Sequence, residues 1–359
     1  MVGVELVGVT HQIGGERVLE DLSLLIAPGE LFALVGPSGC GKTTVLRLIA
    51  GLALPTAGAV LIDGRPVDGI EPWRNGVGMV FQNEALYEHL DVAGNLAFPR
   101  RVGGTGRGDA EEEADRTAGR LGIRSLLDRM PPTLSGGERG MVAAGRAVSR
   151  DLRVLVLDEP LAKADARIRR RFRAEIRRLH ADQGVTTVLA TNDWEEAAIA
   201  DRVAILDAGR LHQVGSPGEL FEHPADTFVA GFAGAVPMNL IPAAVEREGG
   251  DSWLRMGSDR IRLPRRIRPG RVVAGIRPHH LTPAGPSSSF DHCLHVTVGL
   301  VSYEGSRSFV RFGLGAAGSA AFSAVAGSEL RLHPGDPLEL EVDIGRVHLF
   351  DPDSGQALT

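Results

Sequence analysis

Gly36-Pro37-Ser38-Gly39-Cys40-Gly41-Lys42-Thr43 is the stretch that decides how the rest of this chain is read. It matches the pattern G-x-x-x-x-G-K-[ST] at every fixed position. A short apolar run, Leu31 to Val35, precedes it and reads as a strand; Thr44 to Ala50 follows and reads as a helix. A phosphate loop needs this context. Gly36, Gly39 and Gly41 let the backbone N–H groups of the loop, those of Ser38 and Cys40 included, wrap phosphate oxygens, and the helix start at Thr44 adds positive potential. Lys42 is placed to neutralise the β- and γ-phosphates and the Thr43 hydroxyl to ligate Mg²⁺. Only Lys42 and Lys163 are lysines among 39 basic residues. That rarity lowers the expected number of chance matches to about 0.003, so the loop is read as a nucleotide site.

A second apolar strand, Val154 to Leu157, ends at Asp158-Glu159. It delivers Asp158 to the phosphate end of a sheet, where the carboxylate is suited to hold Mg²⁺ through water. Glu159 follows as a candidate general base toward an attacking water. A third strand, Thr186 to Ala190, ends at Thr191-Asn192-Asp193. Val203 to Leu206 and Leu211 to Val214 flank the turn Asp207-Ala208-Gly209-Arg210 and read as a hairpin. The alternation of strands and helices predicts an α/β domain with a partly parallel sheet over residues 1–233.

Leu134-Ser135-Gly136-Gly137-Glu138 resembles the signature sequence of ABC ATPases, with Glu138 in place of the usual Gln. A Ser hydroxyl and Gly backbone N–H groups at a helix start make a phosphate grip. The resemblance implies that Ser135, Gly136, Gly137 and Glu138 act on ATP held by an opposite subunit, so that a dimer is needed. Val80-Phe81-Gln82 resembles the Q-loop of that family, which implies that Gln82 completes Mg²⁺ coordination and senses a membrane partner. Asp165 matches the last residue of its D-loop. The chain is most similar to the ATPase subunits of sugar importers of the maltose and glycerol-phosphate type. Ala85-Leu86-Tyr87, Gly231-Phe232-Ala233-Gly234, Pro237-Met238-Asn239 and Gly275-Ile276-Arg277-Pro278 carry that likeness.

The same resemblance implies an oligonucleotide/oligosaccharide-fold regulatory domain at the C-terminus. The residues agree that the texture changes near Gly234. Leu294, Val296, Val298 and Leu300 alternate, as do Leu338, Leu340, Val342 and Ile344, which predicts a small antiparallel all-β domain over 234–359. Two related β modules would fit there. Tyr303, Phe309 and Phe312 are read as packing residues rather than as a stacking platform. Arg101 to Gly108 reads as a surface loop, and Arg167 to Arg178 as the solvated face of a helix.

Composition limits the alternatives. A net charge of −6 over 359 residues gives no support for general nucleic-acid binding. No stretch approaches the ~18 apolar residues that span a membrane, and Met1 to Glu5 do not begin a secretory leader. Cys40 and Cys293 have no metal-like spacing and suit a reducing cytoplasm. The resemblance then implies a peripheral protein on the cytoplasmic face of a bacterial membrane. Its partners would be a second ATPase subunit, two transmembrane permease subunits and an extracytoplasmic solute-binding protein. Sulfate, polyamine and iron importers share this architecture and stand as alternative substrates. A soluble ABC ATPase acting on nucleic acid would carry two cassettes or a coiled-coil insertion, and this chain has one phosphate loop and no long heptad run. A binding module that has lost catalysis is the third reading.

Two departures from the family pattern bear on that third reading. Asn192 stands where the family has a switch histidine; Asn donates one hydrogen bond but carries no charge. Ile13 stands where an aromatic usually stacks on adenine. Ile13 predicts weaker ATP binding, and together the two raise the hypothesis of slowed turnover, in a homodimer or as one half of an unequal heterodimer. The plainer reading is an ordinary, somewhat drifted subunit; Glu159, Lys42, Gln82 and Ser135 are intact and favour activity. Glu84 and Glu88, beside the Q-loop, replace more neutral residues where the membrane subunits are expected to dock.

Overall fold

The computed structural model describes residues 2–68, 70, 75–81, 86–149, 152–160, 166–285, 292–314 and 321–358. The chain divides into two compact units, one ending at Gly218 and the other beginning at Glu219.

In the first unit, β1 (Val4–Ile13) and β2 (Glu16–Ile26) form a hairpin. β4 (Ala57–Ile62) and β5 (Arg65–Pro66) extend it into a four-stranded antiparallel sheet. A second sheet has six strands: β3 (Leu31–Val35), β6 (Val77–Val80), β7 (Val154–Asp158), β8 (Thr186–Thr191), β9 (Arg202–Asp207) and β10 (Arg210–Gly215). Its order is β10-β9-β3-β8-β7-β6. All its pairings are parallel except that of β10 with β9, which is the hairpin expected around Asp207 to Arg210. The helices of this unit are α1 (Lys42–Ile49), α2 (Val92–Val102), α3 (Arg107–Arg120), α4 (Gly136–Val148), α5 (Ala166–Gln183) and α6 (Trp194–Ala197).

The parallel strands are buried on both faces, which is why they read as continuous apolar runs. Successive side chains on β7 point to opposite faces. Val154 and Val156 pack with β1, β2 and α1, whereas Leu155 and Leu157 pack with α2, α3 and α4. The sheet therefore separates two cores and holds its strands rigidly between them. The stretch Arg101 to Gly108 differs from its expectation: Arg101 and Val102 end α2, Arg107 begins α3, and only 103–106 lie between the two helices. The glycines there suggest a loop, but an Arg107–Glu111 pair at 2.8 Å supports the first turn of α3. Arg167 to Arg178 lies in α5, as expected, with Phe172 and Ile176 turned into the core.

The second unit takes in α7 (Pro217–Glu222) from Glu219 onward, α8 (Thr227–Phe232) and two five-stranded antiparallel sheets. One sheet holds β11 (Asn239–Glu248), β12 (Asp251–Met256), β13 (Asp259–Leu263), β14 (Gly270–Ile276) and β20 (His348–Phe350). The other holds β15 (Leu281–Pro283), β16 (Cys293–Glu304), β17 (Arg307–Leu314), β18 (Phe322–Gly327) and β19 (Pro337–Val342). Their inner faces share one core, in which Leu254, Ile276, Leu294, Phe312 and Leu340 meet. The alternating residues that announced the all-β region lie on β16 and β19, except Ile344, which begins a 3-10 turn. Phe312 is core, whereas Tyr303 is exposed.

The expected division at 233/234 lies downstream of the parting at 218/219, because Arg277 ties α7 and α8 to the β-rich unit. Its buried guanidinium stacks 4.0 Å from the centre of the Phe221 ring and donates to the carbonyls of Phe221, Ala230 and Ala233. Burial pulls its pKa down to about 10, so it stays charged at neutral pH. Three imidazoles lie in the same neighbourhood. Burial, with Arg277 adding repulsion for His279 and His348 and with His279 doing so for His280, holds all three below the ordinary imidazole value of 6.5. An unfolded chain takes up these protons near 6.5, while the folded unit refuses them until lower pH. Their contribution to stability is therefore present above 6.5 and lost as pH falls through the depressed values. Thermal unfolding of the full chain between pH 7.5 and pH 5 should show the β-rich unit melting progressively earlier below about pH 6.5, and a His348→Phe variant should lose less over that range.

Candidate nucleotide-binding site

Strand register brings the chemistry together. Val35 pairs with Thr191 and Asp158 pairs with Ala190 across the parallel strands β3, β8 and β7. The loop after β3, the acids at the end of β7 and the turn after β8 therefore leave the sheet at one edge, the carboxyl ends of its strands. Ligands bind at that edge in open α/β sheets.

The phosphate loop is shaped by its glycines. Gly39 (φ 84°) and Gly41 (φ 109°) adopt backbone conformations that L side chains rarely reach. Gly36 is fixed by space instead: a Cβ there would collide with the Leu206 carbonyl and come within 2.8 Å of the Cys40 sulfur. Cys40 is buried, and burial pushes its thiol pKa up, so it packs as an inert neutral group. Lys42 begins α1 and is almost wholly buried. Its ammonium donates to the carbonyls of Gly36 at 2.8 Å and Pro37 at 2.9 Å and lies 3.7 Å from Glu159.

The Thr43 hydroxyl donates to Asp158 at 3.0 Å, joining α1 to the end of β7. Asp158 is buried, and burial pushes its pKa above the usual carboxylate value. The Thr43 bond opposes that shift and the neighbouring Glu159 adds to it. A hydroxyl and a carboxylate oxygen side by side make a hard donor set that suits Mg²⁺, which keeps waters and phosphate oxygens in its remaining positions. Glu159 has a left-handed backbone (φ 43°) and donates its N–H to Ala190 at 2.9 Å. A non-glycine residue held in this region by its neighbours is a feature of functional turns.

Asn192 is exposed, and its neighbours on both sides are tied down. The Thr191 hydroxyl donates to the buried carboxylate of Glu196 at 2.7 Å and accepts the Asp193 N–H at 3.0 Å. Asp193 caps α6 and pairs with Arg169 of α5 at 3.2 Å, and Glu195 pairs with Arg173 at 2.8 Å. Sequence reasoning missed these supports. Asp193 three residues before Glu196 was the available signal, since it marks a helix start.

Ser135 is the N-cap of α4, with Gly136 and Gly137 in its first turn. It forms a capping box with Glu138. Ile13 ends β1 with its side chain exposed, and His11 lies earlier on the same strand. Thr44 is in the first turn of α1. Gln82, Glu84 and Asp165 lie outside the described residues. Tyr87 and Leu90 are held by a fully buried residue the sequence did not single out: Asn95 accepts the Tyr87 N–H at 2.8 Å and donates to the Tyr87 and Leu90 carbonyls.

Comparison with known proteins follows the same division. Residues 19–162 match the ABC transporter family, and residues 274–350 match the TOBE domain. Over 98% of both chains, this one is 42% identical to the sulfoquinovosyl glycerol transport ATP-binding protein SmoE of Agrobacterium fabrum. It is 36% identical to the sn-glycerol-3-phosphate import ATP-binding protein UgpC 1 of Rhizobium johnstonii, over 100% of this chain and 96% of that one. With the trehalose/maltose import ATP-binding protein MalK of Thermococcus litoralis it shares 38% identity over the whole of both. The dimeric structure of the ATP-binding cassette MJ0796 bound to ADP and Pi, in a post-hydrolysis state, superposes with a TM-score of 0.55 at 26% identity. It covers 59% of this chain and 98% of that one.

This chain belongs to the ABC transporter ATP-binding proteins: an ABC ATPase cassette followed by a TOBE domain. The glycine geometry of the loop yields a direct test. Gly36→Ala should abolish nucleotide binding in a titration with a fluorescent ATP analogue and should lower stability by about 3 kcal/mol in urea unfolding, because its methyl has no room between Leu206 and Cys40.

Proposed function

We propose that this chain hydrolyses ATP to power the import of a sugar or sugar-like solute through two partner membrane subunits. What carries the reading is the meeting of Lys42, Thr43, Asp158, Glu159 and Asn192 at one sheet edge, with a Ser135 phosphate grip elsewhere on the same unit. The family likeness supports reading each site as completed by a second copy, or by an unequal partner subunit.

Residue roles follow from position. The loop N–H groups of Gly36 to Thr44 and the Lys42 ammonium bind the phosphates. Thr43 and Asp158, with Gln82, would hold Mg²⁺, which neutralises charge on the β- and γ-phosphates. Glu159, beside Lys42, takes the proton from the attacking water, and its fixed backbone aims the carboxylate. Asn192 donates to the γ-phosphate in place of a charged imidazole. Ile13 packs on the adenine. Ser135, Gly136 and Gly137 grip the γ-phosphate of the opposite subunit, and Asp165, outside the described residues, is carried over by its match to the last residue of the D-loop.

A cleft of about 510 Å³ lined by Met79, Tyr87, Phe98, Val102 and Arg146 supports the permease reading. Its Tyr87 and Val102 are exposed apolar side chains, and Arg146 stacks 5.0 Å from the Tyr87 ring centre. Met79 and Tyr87 flank Gln82 in sequence, which supports this cleft as the place where a membrane subunit docks. Glu88, next to Tyr87 in sequence, pairs with Arg139 at 2.9 Å. No helix among the described residues is long and apolar enough to cross a membrane. The likeness to import ATP-binding subunits supports reading the chain as a peripheral subunit, on the cytoplasmic face. The solute is inferred from sugar and glycerol-phosphate relatives; sulfate, polyamine or iron import would use the same cassette. An extracytoplasmic solute-binding protein completes the system.

Steady-state ATP hydrolysis with Mg²⁺ tests this reading. The parent chain should turn over ATP, and Glu159→Gln should cut the rate by at least about 100-fold. Asn192→His should raise kcat by about ten- to a hundredfold, the worth of a charged donor at the γ-phosphate. A parent no faster than Glu159→Gln, and unmoved by Asn192→His, overturns the motor and leaves a nucleotide-binding module. Separately, Ile13→Tyr should tighten ATP binding by about three- to tenfold in a competition titration, through π-stacking that Ile lacks.

A further inference from the structure

The signature turn holds an arrangement that its sequence alone did not suggest. Glu138 is more than a shape substitute for glutamine. Its Oε2 accepts the Ser135 N–H at 2.8 Å and the Ser135 hydroxyl at 2.9 Å. The Ser135 oxygen in turn accepts the Glu138 N–H at 3.4 Å. The hydroxyl proton proposed to grip phosphate is thus directed at a carboxylate. Arg129, nine residues earlier, closes the group. One of its nitrogens lies 3.4 Å from Glu138 Oε1, and the other donates to the Thr133 carbonyl in the turn that leads into Ser135.

Two consequences follow from charge. A hydrogen bond from a hydroxyl to a carboxylate is stronger than one to a neutral amide, so Ser135 gives up more when it turns to another acceptor. A carboxylate at this position also repels a triphosphate brought against the turn, and the effect is felt at both sites of a symmetric pair. Arg129 supplies the opposite charge 3.4 Å from Glu138 and offsets the repulsion. Side chains that are about one-third exposed, as these are, feel each other through partly screened water, so each effect is moderate.

We propose that Glu138 and Arg129 form a charge couple that sets how tightly the cassette closes on ATP: Glu138 restrains the Ser135 hydroxyl and weakens the grip, and Arg129 restores it. This rests on the dimeric ATPase reading. It adds Arg129 to the residues that govern the site and gives Glu138 the role of a positioning residue acting through Ser135.

The test measures the dimer dissociation constant by sedimentation in Mg²⁺ and ATP, with Glu159→Gln present throughout to keep ATP intact. Four chains are compared: Glu138 with Arg129, Glu138→Gln, Arg129→Gln, and both changes together. Gln keeps the capping box, so Glu138→Gln changes the charge while preserving the helix start. Glu138→Gln should tighten the ATP-dependent dimer by about tenfold, Arg129→Gln should loosen it by a similar factor, and the double variant should return near the parent. The spread should narrow in 1 M salt, where screening removes the charge effect, whereas a purely structural role of the turn would leave it unchanged. Equal constants in all four chains, or a dimer loosened by Glu138→Gln, overturn the charge couple while the dimeric cassette stands. No ATP-dependent dimer in any of the four overturns the dimeric reading itself, and the couple with it. Matching melting temperatures establish that the variants are folded.

Discussion

The hydrogen bond from Thr43 to Asp158 is the point at which two otherwise separate parts of the cassette become one site. Thr43 arrives on α1 from the loop after β3, and Asp158 arrives at the end of β7. β8 lies between those strands and pairs with both. Burial makes the Asp158 carboxylate unfavourable as an anion, and only Thr43, Arg47 and Lys42 work the other way. A carboxylate in that balance is stabilised by added positive charge. The cost that burial imposes on folding is thus the property that suits the site to a divalent cation.

The strands could be read because their physics is local. Buried parallel strands are largely apolar or β-branched, so Leu31 to Val35, Val154 to Leu157 and Thr186 to Ala190 stand out, and each lies within the strand found there. The β-rich unit could be read by alternation for a similar reason. What was not legible depends on contacts between distant residues. Asn95 looks like any helical Asn until its three hydrogen bonds to Tyr87 and Leu90 are seen. Arg277 belonged to a recognisable stretch, yet its place beneath α7 and α8, which moves the parting of the units upstream, depends on carbonyls 44 to 56 residues away. The same holds for 101–108, where glycine and arginine content suggested a loop and helix pairing decided otherwise.

The two departures at the phosphate end share a physical pattern. Around Asn192 the supports are complete: Thr191 is held by the buried Glu196, Asp193 caps α6, and two arginines of α5 pair with Asp193 and Glu195. Around Glu138 the capping box is complete as well. In both places the backbone is held by these hydrogen bonds and ion pairs. What differs is one charge or one proton donor: Asn192 lacks the cation an imidazole can carry, and Glu138 adds an anion. Loss of function by drift usually loosens the supports along with the working residue, since nothing then retains them. Here the supports remain and the chemistry alone is shifted. On the proposed roles both changes reduce positive charge where a triphosphate would sit, and at Glu138 the guanidinium of Arg129, 3.4 Å away, opposes the change. On the roles proposed above, a cassette built this way is one whose closure on ATP is tuned down rather than one that has lost its site.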